Sequence, residues 1–179
     1  MEIDPLTLAV VKGGLEYVAE EMDVTLRRCA FSPVISESCD MANGIYEAQS
    51  SDLIVQGPKG LPVFIAIMQF AVKTVVQDVG AAGFAPGDVF ILNNPSIGGS
   101  HLNDVKLIRP VFYDGKLFAM LANTAHWIDV GGNVPGNFGV RASENFQEGF
   151  RLPAVKLYDA GRLNEPLLDT IMENTRVPQ

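Results

Sequence analysis

The sequence has few of the residues that build disulfides or thiolate sites. Only two of its 179 residues are cysteines, Cys29 and Cys39, and they do not form a CxxC motif. Two isolated cysteines in a chain without a secretion signal are more often reduced core residues than a disulfide or a metal pair. We therefore expect both to be reduced residues of the core.

Clustered positive charge, a leader sequence and a long apolar run are also missing. The chain carries 13 Lys and Arg against 21 Asp and Glu, a net charge of −8, whereas nucleic-acid binding needs clustered cations on one face. The acidic N-terminus lacks the basic and apolar regions of a signal peptide. The longest apolar stretch, residues 61–72, is too short to span a bilayer. We expect a cytoplasmic protein that binds neither nucleic acid nor membrane.

Motifs for nucleotide binding and nucleophilic catalysis do not occur. No GxxxxGK[ST] is present, so the chain has no P-loop for ATP. No GxSxG occurs and no cysteine stands beside a histidine, so covalent catalysis has little support. What remains is a globular composition, 47% hydrophobic and 19% charged, with a mean hydropathy of +0.18. A well-filled core and an apolar surface for a partner both explain that value.

Periodicity and turn signals predict a mixed α+β fold. Apolar residues at helical spacing predict helices over residues 5–28, 64–79 and 165–174. Short apolar and β-branched runs predict strands at 44–46, 53–55, 89–92, 105–113 and 116–123. Asp114-Gly115 is a strong signal for a two-residue hairpin turn. We expect helices packed against a largely antiparallel sheet.

The only two histidines stand in the same local pattern, HLNDV at residues 101–105 and HWIDV at 126–130. A neutral imidazole with a carboxylate suits divalent ions such as zinc, manganese or iron. One HxxD arises often by chance, but two that use every histidine are better evidence. The alternative is a pair of histidines hydrogen-bonded to neighbouring aspartates.

The predicted hairpin brings the two patterns to one edge of the sheet. If Asp114-Gly115 is a two-residue turn, a regular register places Asn103 opposite His126 and Asp104 opposite Ala125. Residues three apart in a strand point to opposite faces. His101 and Asp104 can therefore share a metal only if His101 has left the strand, and glycines 98 and 99 permit that bend.

Weaker signals concern anions. Four glycines within residues 131–139 could let backbone amides approach an anion, although a flexible surface loop is the commoner outcome. Three cations could neutralise a phosphate or carboxylate, although such side chains are usually solvated: Arg141, Arg151 and Lys156.

Six motifs resemble one known family, in order and over nearly the whole chain. They are LRRCAFSP (26–33), PGDVFILNNP (86–95), GGSHLND (98–104), ANTAHWIDVGG (122–132), FQEGFRLP (146–153) and RVP (176–178). This pattern is similar to the hydantoinase B/oxoprolinase family, whose members are ATP-dependent hydrolases of cyclic amides or ATP-dependent carboxylases of ketones. The resemblance implies that a partner A-type subunit binds ATP and phosphorylates the substrate, and that the B-type subunit completes the reaction.

The same resemblance implies the residues of the site. The family's metal ligands fall on His101, Asp104 and His126, for a divalent ion such as zinc or manganese. Asp129 lies one HxxD step further on, and we expect it either to support a ligand from behind or to act as a general base.

Two departures from the family pattern affect the interpretation. B-type subunits continue far beyond the RVP motif, so we expect residues 1–179 to be the N-terminal metal-site region, as a fragment or a split subunit, in a hetero-oligomer with the A-type subunit and the rest of the B-type subunit. Many hydrolases of the family carry histidine where this chain has Phe64, so a ketone carboxylase is the alternative to a cyclic-amide hydrolase. A non-catalytic assembly subunit with a structural metal is a third reading. Three ligands without a thiolate leave a coordination position open, which favours catalysis.

Overall fold

Within residues 4–136 and 139–177, which this computed structural model describes, the chain forms four α-helices and seven strands. Asp4 caps the first helix, and Gly80, at φ 70°, ends the third. The helices are α1 (Pro5–Cys29), α2 (Pro33–Ser36), α3 (Pro62–Val79) and α4 (Glu165–Glu173). The strands are β1 (Met41–Glu47), β2 (Leu53–Gln56), β3 (Val89–Leu92), β4 (Asp104–Tyr113), β5 (Lys116–His126), β6 (Val155–Asp159) and β7 (Arg162–Leu163). The three predicted helices and five predicted strands are confirmed.

The strands form one sheet in the order β2-β1-β5-β4-β3-β6-β7, and every pairing is antiparallel. The predicted α+β class is therefore confirmed. The β6–β7 hairpin was not predicted. Its turn uses Ala160 at φ 48° and Gly161 at φ 82°. Alanine seldom adopts a positive φ, so the sequence there lacks a turn signal as strong as Asp114-Gly115.

Helices cover both faces of the sheet. Helix α3 packs on one face, over a cluster that includes Phe64, Met68, Val72, Phe90, Ile108 and Met120. Helices α1, α2 and α4 lie on the other, where Ile35 packs with Met41 and Ile171 packs with Val105. Because both faces are buried, the central strands carry apolar residues at consecutive positions rather than alternating ones.

Helix α3 is also, among the described residues, the one helix whose length and composition would allow it to cross a membrane. Its inner face carries buried Phe64, Met68 and Val72 and packs against the sheet. A core helix meets the same length and hydropathy test, so this packing accounts for the apolar composition.

The two cysteines lie in the connection on either side of α2 rather than in the core. Both are free thiols, Cys29 exposed and Cys39 half-buried. The predicted reduced state is confirmed, but the predicted core location is wrong. Cys29 is the last residue of α1, and Cys39 occupies a turn at φ 56° just before β1.

The β4–β5 hairpin departs from the predicted register by one residue. Tyr113 pairs with Lys116, as expected, but a bulge follows: Phe112 pairs with Leu117 and Val111 pairs with Ala119. The extra residue in β5 shifts every later pair. Asp104 consequently lies opposite His126, where the regular register would have placed Ala125. Directly opposed residues share a face, so the bulge puts both side chains on the face that α3 covers.

Candidate metal centre

The three predicted ligands meet where β4 begins and β5 ends. Asp104 is the first residue of β4 and His126 the last residue of β5. His101 lies outside the strand, in a tight turn closed by a hydrogen bond from the Asp104 amide to the His101 carbonyl (3.3 Å). The condition that the sequence imposed, that His101 leave the strand, is met. The predicted convergence of these three residues is therefore seen in the structure.

The ligand atoms are spaced as they would be around one ion. His101 Nε2 lies 3.1 Å from Asp104 Oδ1, and His126 Nδ1 lies 3.7 Å from the same oxygen. All three ligand atoms lie within 4.8 Å of one another. Atoms bound about 2.1 Å from a common ion are about 3.0–3.4 Å apart. The two imidazole rings, tilted by 48° with centroids 4.9 Å apart, leave room between their nitrogens.

The carboxylate of Asp104 provides the strongest sign that an ion fits. The residue is fully buried, and its Oδ1 accepts no hydrogen bond, whereas its Oδ2 accepts one from Ser100 Oγ. Leaving a charged buried oxygen without a hydrogen bond is costly. A divalent cation held by Asp104, His101 and His126 would satisfy that oxygen, so this donor set fits a zinc- or manganese-like ion.

The contacts within the trio change the acidities of two of its members. Burial alone would raise the pKa of Asp104, but the polar contacts with His101, His126 and Ser100 outweigh it and hold that pKa well below its usual range. The contact with Asp104 raises the pKa of His101 above its ordinary value, against the lowering effect of burial. The carboxylate is thus held ionised, which is the state that binds a cation.

A second carboxylate, missed in the sequence, stands beside the trio. Asp40 Oδ2 lies 3.7 Å from His126 Nδ1, and the Asp40 carbonyl accepts a hydrogen bond from the His126 amide (3.0 Å). Asp40 immediately precedes β1, which pairs with β5. Nothing near Asp40 in the sequence resembles a ligand motif, and only the β1–β5 pairing brings it here.

A buried lysine was also missed. Lys106 is 1% exposed, and its Nζ donates a hydrogen bond to the Asp104 carbonyl (3.0 Å). Burial lowers the pKa of Lys106 to about 8, although the Asp104 carboxylate acts in the opposite direction. A lysine in a strand normally suggests a solvated side chain. Its place between Val105 and Leu107, in a central strand, was the signal that could have revealed its burial.

Backbone hydrogen bonds from buried asparagines hold the loops around the centre. Asn93, just after β3, donates to the Leu102 carbonyl (2.8 Å) and accepts from the Leu152 amide (2.6 Å). Asn103 donates to the Trp127 carbonyl (2.6 Å), and the Trp127 amide donates back to the Asn103 carbonyl (2.8 Å). These contacts tie the segment after each ligand-bearing strand to its neighbour.

Asp129 is not brought into the trio. Its carboxylate accepts hydrogen bonds from the Gly131 amide (2.8 Å), the Arg176 amide (3.0 Å) and Arg176 Nη1 (3.1 Å). The same guanidinium donates to the carbonyls of Gly131 (2.9 Å) and Gly132. This Asp129–Arg176 clamp ties the segment that follows His126 to the segment that follows α4. Its contacts are those of a residue that holds a loop.

The three cations that could have neutralised an anion do not converge. Lys156 pairs with Asp88 (3.1 Å) and Asp159 (2.6 Å). The guanidinium of Arg151 lies over the ring of Phe146, and Arg141 is exposed. The carbonyls of the first two loop glycines, 131 and 132, accept from Arg176. These contacts favour the solvated or structural alternative for these residues.

Comparison with known proteins gives consistent matches along the chain. The family model described as hydantoinase B/oxoprolinase matches residues 4–179. The beta subunit of caprolactamase from Pseudomonas jessenii is 35% identical over 174 residues, which cover 97% of this chain and 29% of that protein. The chain spans only about 30% of the length of the curated relatives that it matches best.

Two solved structures share the fold. The crystal structure of ATP-dependent caprolactamase from Pseudomonas jessenii superimposes with a TM-score of 0.86 at 35% identity, over 99% of this chain and 30% of that one. A nucleotide-free structure of acetone carboxylase gives a TM-score of 0.89 at 22% identity, over 97% of this chain and 23% of that one. At the lower identity, the second likeness concerns the fold alone.

Proposed function

Because this chain belongs to the hydantoinase B/oxoprolinase family, we propose that it supplies the metal centre of the B-type component of an ATP-dependent cyclic-amide hydrolase. His101, Asp104 and His126 hold the ion, and Asp40 offers a second carboxylate next to it. The observation that carries the proposal is the convergence of these three ligand atoms on one buried carboxylate oxygen that accepts no hydrogen bond.

The chain's own residues set up the site. His101 and His126 provide two imidazoles, and Asp104 provides an ionised carboxylate held by Ser100. When bound, the ion supplies Lewis-acid chemistry toward an oxygen or a water. Asp129 acts by holding the loop after His126, because its oxygens are already engaged by Arg176 and a backbone amide. This assignment favours the supporting role for Asp129 over the general-base role.

ATP chemistry belongs to a partner in this proposal. No phosphate-binding loop occurs in the sequence, so an A-type subunit binds ATP and phosphorylates the small-molecule substrate. The relatives are about three times longer, so the remaining walls of the active site come from the rest of the B-type component. The chain therefore works within a hetero-oligomer and is inactive alone.

Hydrolysis is our first choice because caprolactamase is the relative of known name at 35% identity. Carboxylation of a ketone is the second reading, supported only by a shared fold with acetone carboxylase. A structural metal in an assembly subunit is less favoured, because structural zinc sites usually have four protein ligands and often use thiolates.

Metal analysis of single variants tests the proposal. We expect His101→Ala, Asp104→Ala and His126→Ala each to lose bound zinc or manganese, measured by elemental analysis after dialysis. Asp129→Ala should retain metal, with affinity reduced by about 10–100-fold, as is typical when a supporting contact is lost. Asp88→Ala is the matched control: this aspartate is equally buried, but its carboxylate binds Lys156 and backbone amides.

The outcomes separate the assignments. Full metal content in both histidine variants would place the centre elsewhere and refute the proposal. Complete loss of metal in Asp129→Ala, with none lost in Asp88→Ala, would show that Asp129 binds the ion directly.

A further inference from the structure

Lys106 is a charged residue whose burial the ligand set does not explain. It lies in β4 on the same face as Asp104, paired in register with Leu92 of β3 and Thr124 of β5. The loop before His101 covers it, since a Cβ added at Gly99 would lie 3.5 Å from Lys106 Nζ. The ammonium is thus enclosed between the sheet and this loop.

The ammonium has little local compensation. Within the part of the chain that the structure describes, it forms one hydrogen bond, to the Asp104 carbonyl, and no carboxylate oxygen lies within 4.0 Å of it. Thr124, opposite in the sheet, has a buried hydroxyl without a hydrogen-bond partner. Burying an incompletely paired charge is expensive. Such a residue beside a cluster of titratable groups indicates a functional role.

A charge count suggests what that role is. With neutral imidazoles, the carboxylates of Asp104 and Asp40 contribute two negative charges and Lys106 contributes one positive charge. A divalent ion then turns a centre with one net negative charge into a centre with one net positive charge. Without Lys106 the loaded centre would be neutral. The surplus charge acts through a poorly screened interior, where it is worth more than in water.

We propose that Lys106 is a positioning residue whose fixed charge makes the metal-loaded centre bind an anionic oxygen ligand of the phosphate type. The inference rests on the proposed function and adds what the centre selects. Lys106 lies on the inner side, whereas the His101 side chain (38% exposed) and the Asp40 side chain (27% exposed) line the open side. A ligand therefore approaches from the open side, and Lys106 acts on it through the field rather than by contact.

Inorganic phosphate is a suitable probe. We expect the manganese-loaded protein to bind phosphate in calorimetry at pH 7, and Lys106→Met to bind it at least about 10-fold more weakly. The affinity of Lys106→Met for manganese, measured against a chelator, should be equal or higher because a like charge has been removed. Lys116→Met is the matched control, since this exposed lysine lies at the turn end of the same hairpin and should leave both affinities unchanged.

Two further variants separate charge from hydrogen bonding. Lys106→Gln can keep the donor to the Asp104 carbonyl but loses the charge, so its phosphate affinity should fall as in Lys106→Met. Lys106→Arg keeps the charge, and its phosphate affinity should stay within about threefold of the original. Melting curves report whether each variant is folded, and the Gln–Arg comparison decides the matter if Lys106→Met does not fold.

Equal phosphate affinity in the neutral and charged variants would overturn the inference while leaving the proposed function intact. Loss of manganese binding in Lys106→Met and Lys106→Gln would also overturn it, because Lys106 would then be needed to build the site. Failure of the unmodified chain to bind any divalent metal would refute both proposals.

Discussion

At the scale of single residues, His101 and Asp104 stabilise each other's charged forms when no metal is bound. The carboxylate raises the pKa of the imidazole, and the imidazole helps to lower the pKa of the carboxylate. Asp40 adds to the rise through its negative charge. A proton on His101 and a divalent cation therefore compete for the same oxygen.

This competition predicts opposite pH dependences for the metal-free and metal-loaded protein. The raised pKa of His101 contributes stability that is fully present below the ordinary histidine value of about 6.5 and is lost as pH rises through the folded-state value. In chelator, the melting temperature should fall across that window. With manganese, the stabilisation by metal should grow across the same window, because imidazole binds metal only when neutral. The measurement is thermal melting against pH, with and without metal.

His101→Gln provides the control for this prediction. It removes the titrating group but keeps a polar side chain in a half-exposed position, so both pH dependences should flatten. A metal-free melting temperature that rises with pH in the unmodified chain would contradict the assigned contact between His101 and Asp104.

Sequence patterns predicted the ligands but not their polar surroundings. His101 and His126 could be identified because both histidines of the chain share one motif with an aspartate. Asp40 and Lys106 carry no such motif. Their roles depend on strand pairing, β1 with β5 and β4 with β5, that brings together residues distant in sequence.

At the scale of the element, the bulge in β5 decides whether Asp104 and His126 share a face. Phe118 is the additional residue between Leu117, which pairs with Phe112, and Ala119, which pairs with Val111. We expect deletion of Phe118 to restore the regular register and to turn the His126 side chain away from Asp104. Metal binding should be lost, as measured by elemental analysis.

Phe118→Ala is the matched control for that deletion. The side chain is 61% exposed, so its removal should cost little stability and should leave metal content unchanged. A deletion variant that folds and keeps full metal would show that the register does not govern the site. The turn itself was predictable from Asp114-Gly115, whereas the bulge carries no glycine or other local signal.

At the scale of the whole molecule, the first half of α1 has little covering from the rest of the described chain. Its exposed apolar residues are Leu6, Leu8, Val10, Val11, Tyr17 and Val18. No atom beyond the helix's own backbone and adjacent residues lies within 4 Å of where a side chain on Gly13 or Gly14 would begin. The amphipathic spacing of α1 was predictable, but its periodicity could not show which part would be covered within this chain.

This surface predicts that the isolated 179-residue chain self-associates and binds no nucleotide. Exposed apolar patches of this kind promote association, and the sequence has no P-loop. Light scattering should show oligomers or aggregates, and Leu8→Glu combined with Val11→Glu should reduce them. Calorimetry with ATP should give no stoichiometric binding. A monomer with a single sharp melt, or a nucleotide site in the isolated chain, would contradict this view.

The Asp129–Arg176 clamp has a consequence for the order of events during synthesis. Arg176 follows Asp129 by 47 residues, which a ribosome adds in about 2–10 s at 5–20 residues per second. All three metal ligands have been synthesised before that interval begins. A nascent chain therefore carries its complete ligand set while the adjoining loop is still unfastened, and an ion can enter before Arg176 closes the loop behind it.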